Sequence, residues 1–222
     1  MSAPIVERPT TPLSQLLREG TMAAHQDAEE SDFMAQLLDG HLNTRAAHLL
    51  TGQLGFVYEA LEDAMRAVAD SPAVATIYDP NLERVPALRS DLENMLGAEW
   101  ESHVTMLPAT ARYVARLRGL AEQGDALRLI AHHYVRYLGD ISGGQVIRKR
   151  LHGLYGISMD HLLFYDFAAI GKIPPYRTNY RKSLDALPLD HASQQVLVEE
   201  AKKAFAFNSA VFAELQASIS TK

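Results

Sequence analysis

The chain has 222 residues, enough for one sizeable domain, and its 47% apolar and 22% charged content is that of an ordinary soluble globular protein. A net charge of −6 argues against a broad nucleic-acid or anionic-membrane surface, and the lack of cysteine removes disulfides, thiolate metal sites and cysteine nucleophiles. No apolar run approaches the ~18 residues of a membrane span, so a soluble, cytoplasmic protein is expected, with no membrane anchor and no nucleic-acid partner.

In chain order, residues 1–10 read as a frayed tail, with Glu7, Arg8 and prolines but no apolar signal-like core. Helical periodicity dominates from there on, and no alternating strand pattern or hairpin dipeptide interrupts it. The first helix is expected to start at Thr11-Pro12, a hydroxyl cap followed by proline at the first helical position, and to reach about Glu30. A short helix follows over Asp32–Leu38, ended by Asp39-Gly40. Asn43 caps a long helix to about Ala69, which Ser71-Pro72 stops. Further helices are expected over 81–96, closed by Gly97, and from Pro108 to about Ala121. A long one spans roughly Ala126 to Leu154. The loop 171–175 precedes a basic helix over Tyr176–Leu187. In the last helix Leu197, Ala201, Ala204, Phe205, Asn208, Phe212 and Leu215 share one face. The expected architecture is all-α: a single helical bundle over residues 11–216, with 217–222 as a tail.

The most informative stretch is Tyr134-Val-Arg-Tyr-Leu-Gly-Asp-Ile-Ser-Gly-Gly-Gln145. Gly139, Gly143 and Gly144 fall within six positions of a helical pattern, and each costs a helix roughly 1 kcal/mol relative to alanine. Glycines there point either to close helix–helix packing or to a backbone that must approach a ligand. No strand or Walker-type lysine accompanies them, so they do not form a phosphate loop. Asp140 beside them lies in an apolar context, where a carboxylate needs hydrogen bonds or buried water.

Nine histidines are the other candidates. His25 has Glu29 one turn later on the same face, where a carboxylate can fix the imidazole tautomer and make it a better metal ligand; a plain surface pair reads the same. His132 and His133 point roughly 100° apart, so they do not share a metal and are read as core or surface residues. His48, His103 and His161 are isolated in sequence, and no His-Glu-x-x-His spacing occurs. Arg177 and Arg181, one turn apart with Tyr176 and Lys172 nearby, form either a fork for carboxylates or a solvated basic face.

Together these segments resemble the haem oxygenase family, in its soluble bacterial form. The resemblance runs from about Leu13 to Leu215. It is strongest over Ala131–Gln145 and at Ala24-His25 with Glu29, and is supported by Phe33-Met34, the stretch 58–62, Tyr180-Arg181 and the stretch 199–208. It implies haem, as both cofactor and substrate, sandwiched between the first helix and a kinked, glycine-rich distal helix. His25 would be the iron ligand, with Glu29 behind it. Gly139, Gly143 and Gly144 would lie against the haem, and Asp140 would anchor a distal water network with Tyr58 and Arg136. Arg18, Tyr134, Arg177 and Arg181 would hold the propionates, while Phe205 and Asn208 line the pocket wall and distal network. The implied reaction is cleavage at the α-meso carbon by O2 to biliverdin IXα, CO and Fe2+, with electrons from an external reductase or ferredoxin system. Four residues depart from the pattern: Met22 and Val135 stand where some members have lysine and threonine, and Arg18 and Arg177 stand where several have lysine. The alternative is a carrier or sensor that binds haem without degrading it, which would need neither Asp140 nor the three glycines.

Overall fold

The computed structural model describes residues 11–220, and among these there is no strand. Eleven α-helices follow one another: α1 Leu13–Glu29, α2 Asp32–Leu38, α3 Thr44–Ala67, α4 Pro72–Ile77, α5 Val85–Leu96, α6 Trp100–His103, α7 Pro108–Glu122, α8 Ala126–His133, α9 Gly139–Tyr155, α10 Ile173–Asp185 and α11 His191–Ser220. The expected tail at 1–10 and the last residues 221–222 lie outside the described residues. The final helix runs past the expected boundary at 216, because Leu215 is buried and Ile219 packs on the core one turn later.

Most elements follow the apolar periodicity, and the differences have local causes. Proline in the first helical turn removes only an amide that has no intrahelical partner. The helix α10 therefore begins three residues before its expected start and holds Pro174 and Pro175 in that turn. Likewise Pro72 ends one helix and opens the short α4, which the sequence reading passed over.

The expected hydroxyl cap at Thr11 does not form. The residue preceding α1 is Pro12, and no side chain of its own caps the helix. The cap comes instead from Asp185, at the end of α10, whose carboxylate accepts from the Ser14 amide at 2.8 Å and the Ser14 hydroxyl at 3.0 Å. Two elements distant in sequence are thereby pinned together at one end of the bundle.

The core sits around α3 and α11. From α3, Leu50, Leu54, Val57, Leu61 and Met65 are buried against α5, α7 and α8. α11 packs on α1, α7 and α8, and a Cβ on Gly20 would come within 2.6 Å of Val198 Cγ1. The absence of a side chain at Gly20 is what lets α1 lie directly on α11.

The expected helix over 126–154 is interrupted by a π-helical segment over Tyr134–Leu138, between α8 and α9. A π segment inserts an extra residue into a turn and shifts the face presented by everything after it. The kink thus falls immediately before Gly139.

Candidate functional site

A cleft of about 330 Å³ opens between α1, the π segment with the start of α9, α10 and α11. The α1 side contributes Arg18, Thr21, Met22 and His25. These are spaced i, i+3, i+4 and i+7, so one helical face supplies them all. The opposing wall brings Val135, Leu138, Gly139 and Ser142, with the same spacing. Thr21, Leu138 and Ser142 were not singled out from the sequence, although that spacing was there to be read.

His25 is half exposed. Its Nδ1 lies 3.4 Å from Glu29 Oε2, and its ring meets Phe205 edge-on with centroids 5.7 Å apart. With Nδ1 directed at the carboxylate, Nε2 is left without a protein partner among the described residues, ready to bind an external atom. No group of three or more His, Asp or Glu side chains able to hold a metal exists among the described residues. An ion bound by His25 must therefore arrive with most of its ligands already in place.

The glycines divide into two kinds. A Cβ on Gly139 or Gly143 would have nothing within 4 Å, so both leave open space. A Cβ on Gly144 would meet Tyr165 Cδ1 at 3.1 Å. Gly144 is buried, packs α9 on the turn at Leu163–Tyr165, and is not among the residues that line the cleft. Of the two readings open in the sequence, close packing is what Gly144 shows, while Gly139 and Gly143 leave the open space that close approach would need.

The rim is basic. Arg18, Arg177 and Arg181 line the cleft, and none has a carboxylate within 4.0 Å among the described residues. Arg177 Nε is buried with no hydrogen-bond partner. Tyr134 lies beside them: burial raises its pKa, while a hydrogen bond with Thr21 and the charges of Arg181 and Arg18 oppose that rise. Three unpaired guanidinium groups around one opening form a receptor for a ligand with more than one negative charge. Tyr176, by contrast, donates to Asp79 Oδ2 at 2.8 Å and belongs to the fold.

Behind the glycine wall lies a buried polar cluster. Arg136 Nη1 donates to Asn208 Oδ1 at 3.0 Å, Nη2 is 3.5 Å from Asp140 Oδ1, and its guanidinium carbon is 5.2 Å from the centre of the Tyr58 ring. Burial pushes the Asp140 carboxyl well above the ordinary carboxylate range; the adjacent Arg136 charge works the other way. The Tyr58 hydroxyl, Arg136 Nε and Asp140 Oδ2 are all buried without a partner. Polar atoms stranded together in this way are those that ordered water satisfies. Asp140 stood out from its residue context and Tyr58, Arg136 and Asn208 were implied by the resemblance; the structure brings the four together.

His132 and His133 serve the fold. His132 contacts Tyr113 and Glu200, His133 pairs with the Tyr180 hydroxyl at 2.8 Å, and both are fully buried. His48 and His103, isolated in sequence, line one shallow hollow with Arg45.

The chain is similar to known proteins over nearly its whole length. A family model described as Heme oxygenase matches residues 11–214. Heme oxygenase 1 of Synechocystis sp. is 37% identical over 207 residues, covering 93% of this chain and 86% of that protein. The heme oxygenase of Porphyra purpurea is 37% identical over 208 residues, covering 93% and 88%. The crystal structure of the Synechocystis heme oxygenase-1 in complex with heme superposes with a TM-score of 0.89 at 36% identity, covering 94% of both chains.

Proposed function

Because this chain belongs to the haem oxygenase family and is a haem-degrading enzyme, we propose that the cleft seats haem between α1 and α9. His25 Nε2 would face the iron, and Gly139 and Gly143 the opposite side of the macrocycle. The observation that carries this is the pairing of one free imidazole nitrogen on α1 with a side-chain-free position, Gly139, at the start of α9, across a cleft ringed by unpaired arginines, with Gly143 leaving open space one turn later. A flat, iron-bearing dianion that brings four nitrogen ligands of its own fits each of these features.

When bound, haem supplies an iron that activates O2 and the ring carbon that is cleaved. The protein's part is positional. Glu29 Oε2, 3.4 Å from His25 Nδ1, would take the hydrogen of that nitrogen and so hold Nε2 as the unprotonated ligand nitrogen. Arg18, Tyr134, Arg177 and Arg181 take the propionates and fix the in-plane rotation of the ring, which presents the α-meso carbon. Gly139 and Gly143 would let the helix backbone lie close to the ring, and Phe205 would close the wall beside His25. Asp140 and Arg136, with Asn208 and Tyr58, hold water near the reacting edge. A carboxyl with a raised pKa can pass a proton through that water and recover it. An external reductase or ferredoxin system supplies electrons in the cytoplasm; no helix among the described residues is long and apolar enough to cross a membrane.

Aerobic incubation of the haem complex with a reductant tests the reading. Loss of the Soret band with growth of biliverdin absorbance, and a single α isomer on chromatography, is the expected outcome. A stable Soret band under the same conditions would identify a carrier, and failure to take up haem would remove the cleft assignment altogether.

A further inference from the structure

The two helices that carry the arginines of the cleft converge on one hydrogen-bonded pair just beyond its lining. On α1, Ser14 precedes Arg18 by four residues, and Thr21, Met22 and His25 follow on the same face. On α10, Arg177, Arg181 and Asp185 are likewise spaced four residues apart. Ser14 and Asp185 thus stand one turn, about 6 Å along each axis, beyond Arg18 and Arg181. They meet through two bonds: Asp185 Oδ1 accepts from the Ser14 amide at 2.8 Å, and Oδ2 from the Ser14 hydroxyl at 3.0 Å.

Otherwise the two helices are held by different neighbours. α1 lies on α11, where Gly20 meets Val198. α10 is tied to the segment between α4 and α5 by the Tyr176 bond to Asp79, and to α8 by the Tyr180 hydroxyl against His133 Nδ1, both at 2.8 Å. Among the described residues no other hydrogen bond or ion pair joins α1 to α10. Apolar contact is non-directional and permits sliding, whereas a two-point bond to one carboxylate fixes a distance. The pair also has an electrostatic consequence. An arginine and a carboxylate four residues apart on a helix are placed to pair with each other. Ser14 occupies both oxygens of Asp185, and Arg181 is one of the three unpaired guanidinium groups of the rim.

We infer that Ser14 and Asp185 form a clasp that sets the gap between Arg18 on one side of the cleft and Arg177 and Arg181 on the other, and that keeps Arg181 free for an anion. Both are positioning residues, because they act on a ligand only through the arginines. On the haem reading of the cleft, the anion is the pair of propionates, and the clasp governs which meso edge the ring presents. The spacing of the two helices does not depend on that reading.

The chain has no cysteine, so spin labels on Glu19→Cys and Lys182→Cys, both at exposed positions, report the α1–α10 distance in the full chain without haem. Asp185→Ala should broaden that distance distribution. Glu214→Ala is the matched control and should leave it unchanged: Glu214 on α11 accepts from the Ala109 amide at 2.7 Å, the second residue of α7 as Ser14 is the second of α1. With haemin and a reductant, Asp185→Ala and Ser14→Ala should each add biliverdin isomers other than α, whereas Ser14→Thr, which keeps both donors, should give one. Ser14→Ala should also weaken haemin binding several-fold, and more than Asp185→Ala, because it alone releases a carboxylate oxygen toward Arg181. An unchanged distance distribution in Asp185→Ala, or a single α isomer from both variants, overturns the clasp. Tighter haemin binding by Ser14→Ala than by Asp185→Ala overturns its hold on Arg181. A parent chain that takes up no haemin would overturn the haem reading instead, and the distance measurement would still decide the clasp.

Discussion

Replacing Gly139 with alanine should separate stability from function in one substitution. Gly139 has ordinary right-handed helical angles, φ −63° and ψ −52°, so alanine fits its backbone without strain. An added Cβ meets nothing within 4 Å, so the haem-free protein bears no packing penalty. What remains is the helical preference of alanine over glycine, about 1 kcal/mol, which for a chain of this length raises Tm by roughly 2–4 °C. The same methyl group intrudes on the cleft, where a haem face would have to stand off by most of a carbon contact distance. Overpacking of this kind costs about 1–3 kcal/mol, a roughly five- to 150-fold weaker haem affinity. Thermal melting without haem and haemin titration at the Soret band read the two effects independently. Gly144→Ala is the internal control: its Cβ would press on Tyr165 at 3.1 Å, so it should give no comparable gain in Tm and little change in haem affinity. A lower haem-free Tm for Gly139→Ala, or wild-type haem affinity and turnover, would refute the reasoning.

His25→Ala should lose the five-coordinate haem spectrum, and added imidazole should restore turnover; an unchanged spectrum would remove His25 from the iron. Arg177→Glu combined with Arg181→Glu should loosen haem and yield mixed biliverdin isomers on chromatography, whereas a single isomer would assign regiochemistry to pocket shape. Asp185→Ala deletes the cap on α1 and should cost about 1 kcal/mol in urea unfolding, with no effect if Ser14 is capped by water alone. Glu62 is buried under its bonds from the Arg84 and Val85 amides and the Tyr137 hydroxyl. Burial, with a smaller push from Glu83, raises its pKa from 4.5 to about 7, against the pull of those bonds. An acid whose pKa rises on folding contributes stability that is complete below pH 4.5 and is lost as pH climbs through about 7. The loss relative to Glu62→Gln should approach roughly 3 kcal/mol between pH 4 and 8, measured by denaturant unfolding at several pH values; parallel pH profiles would contradict it.

Much of this protein was legible in its sequence because much of it is local. The apolar period of 3.6 residues gave the major helices, since which residues share a face follows from covalent geometry alone. For the same reason His25 with Glu29, and Arg177 with Arg181, could be paired without a structure: each pair lies one helical turn apart. The run around Asp140 was conspicuous because glycine inside a helix is locally unfavourable and so demands a cause.

What the sequence could not decide is which long-range partner satisfies each buried or exposed polar group. Thr11 looked like the cap of α1, but Asp185, 171 residues beyond Ser14, occupies that role. Gly143 and Gly144 are neighbours of identical chemistry, yet one faces open space and the other Tyr165, because the π segment before them sets the rotation of α9. His132 carries no sequence signal for Glu200, 68 residues away, or for Tyr113 on another helix. Periodicity determines which side of a helix turns inward; only the packed arrangement of helices determines what that side meets, because a buried charge or hydrogen-bond donor is stabilised by the group that folding brings to it.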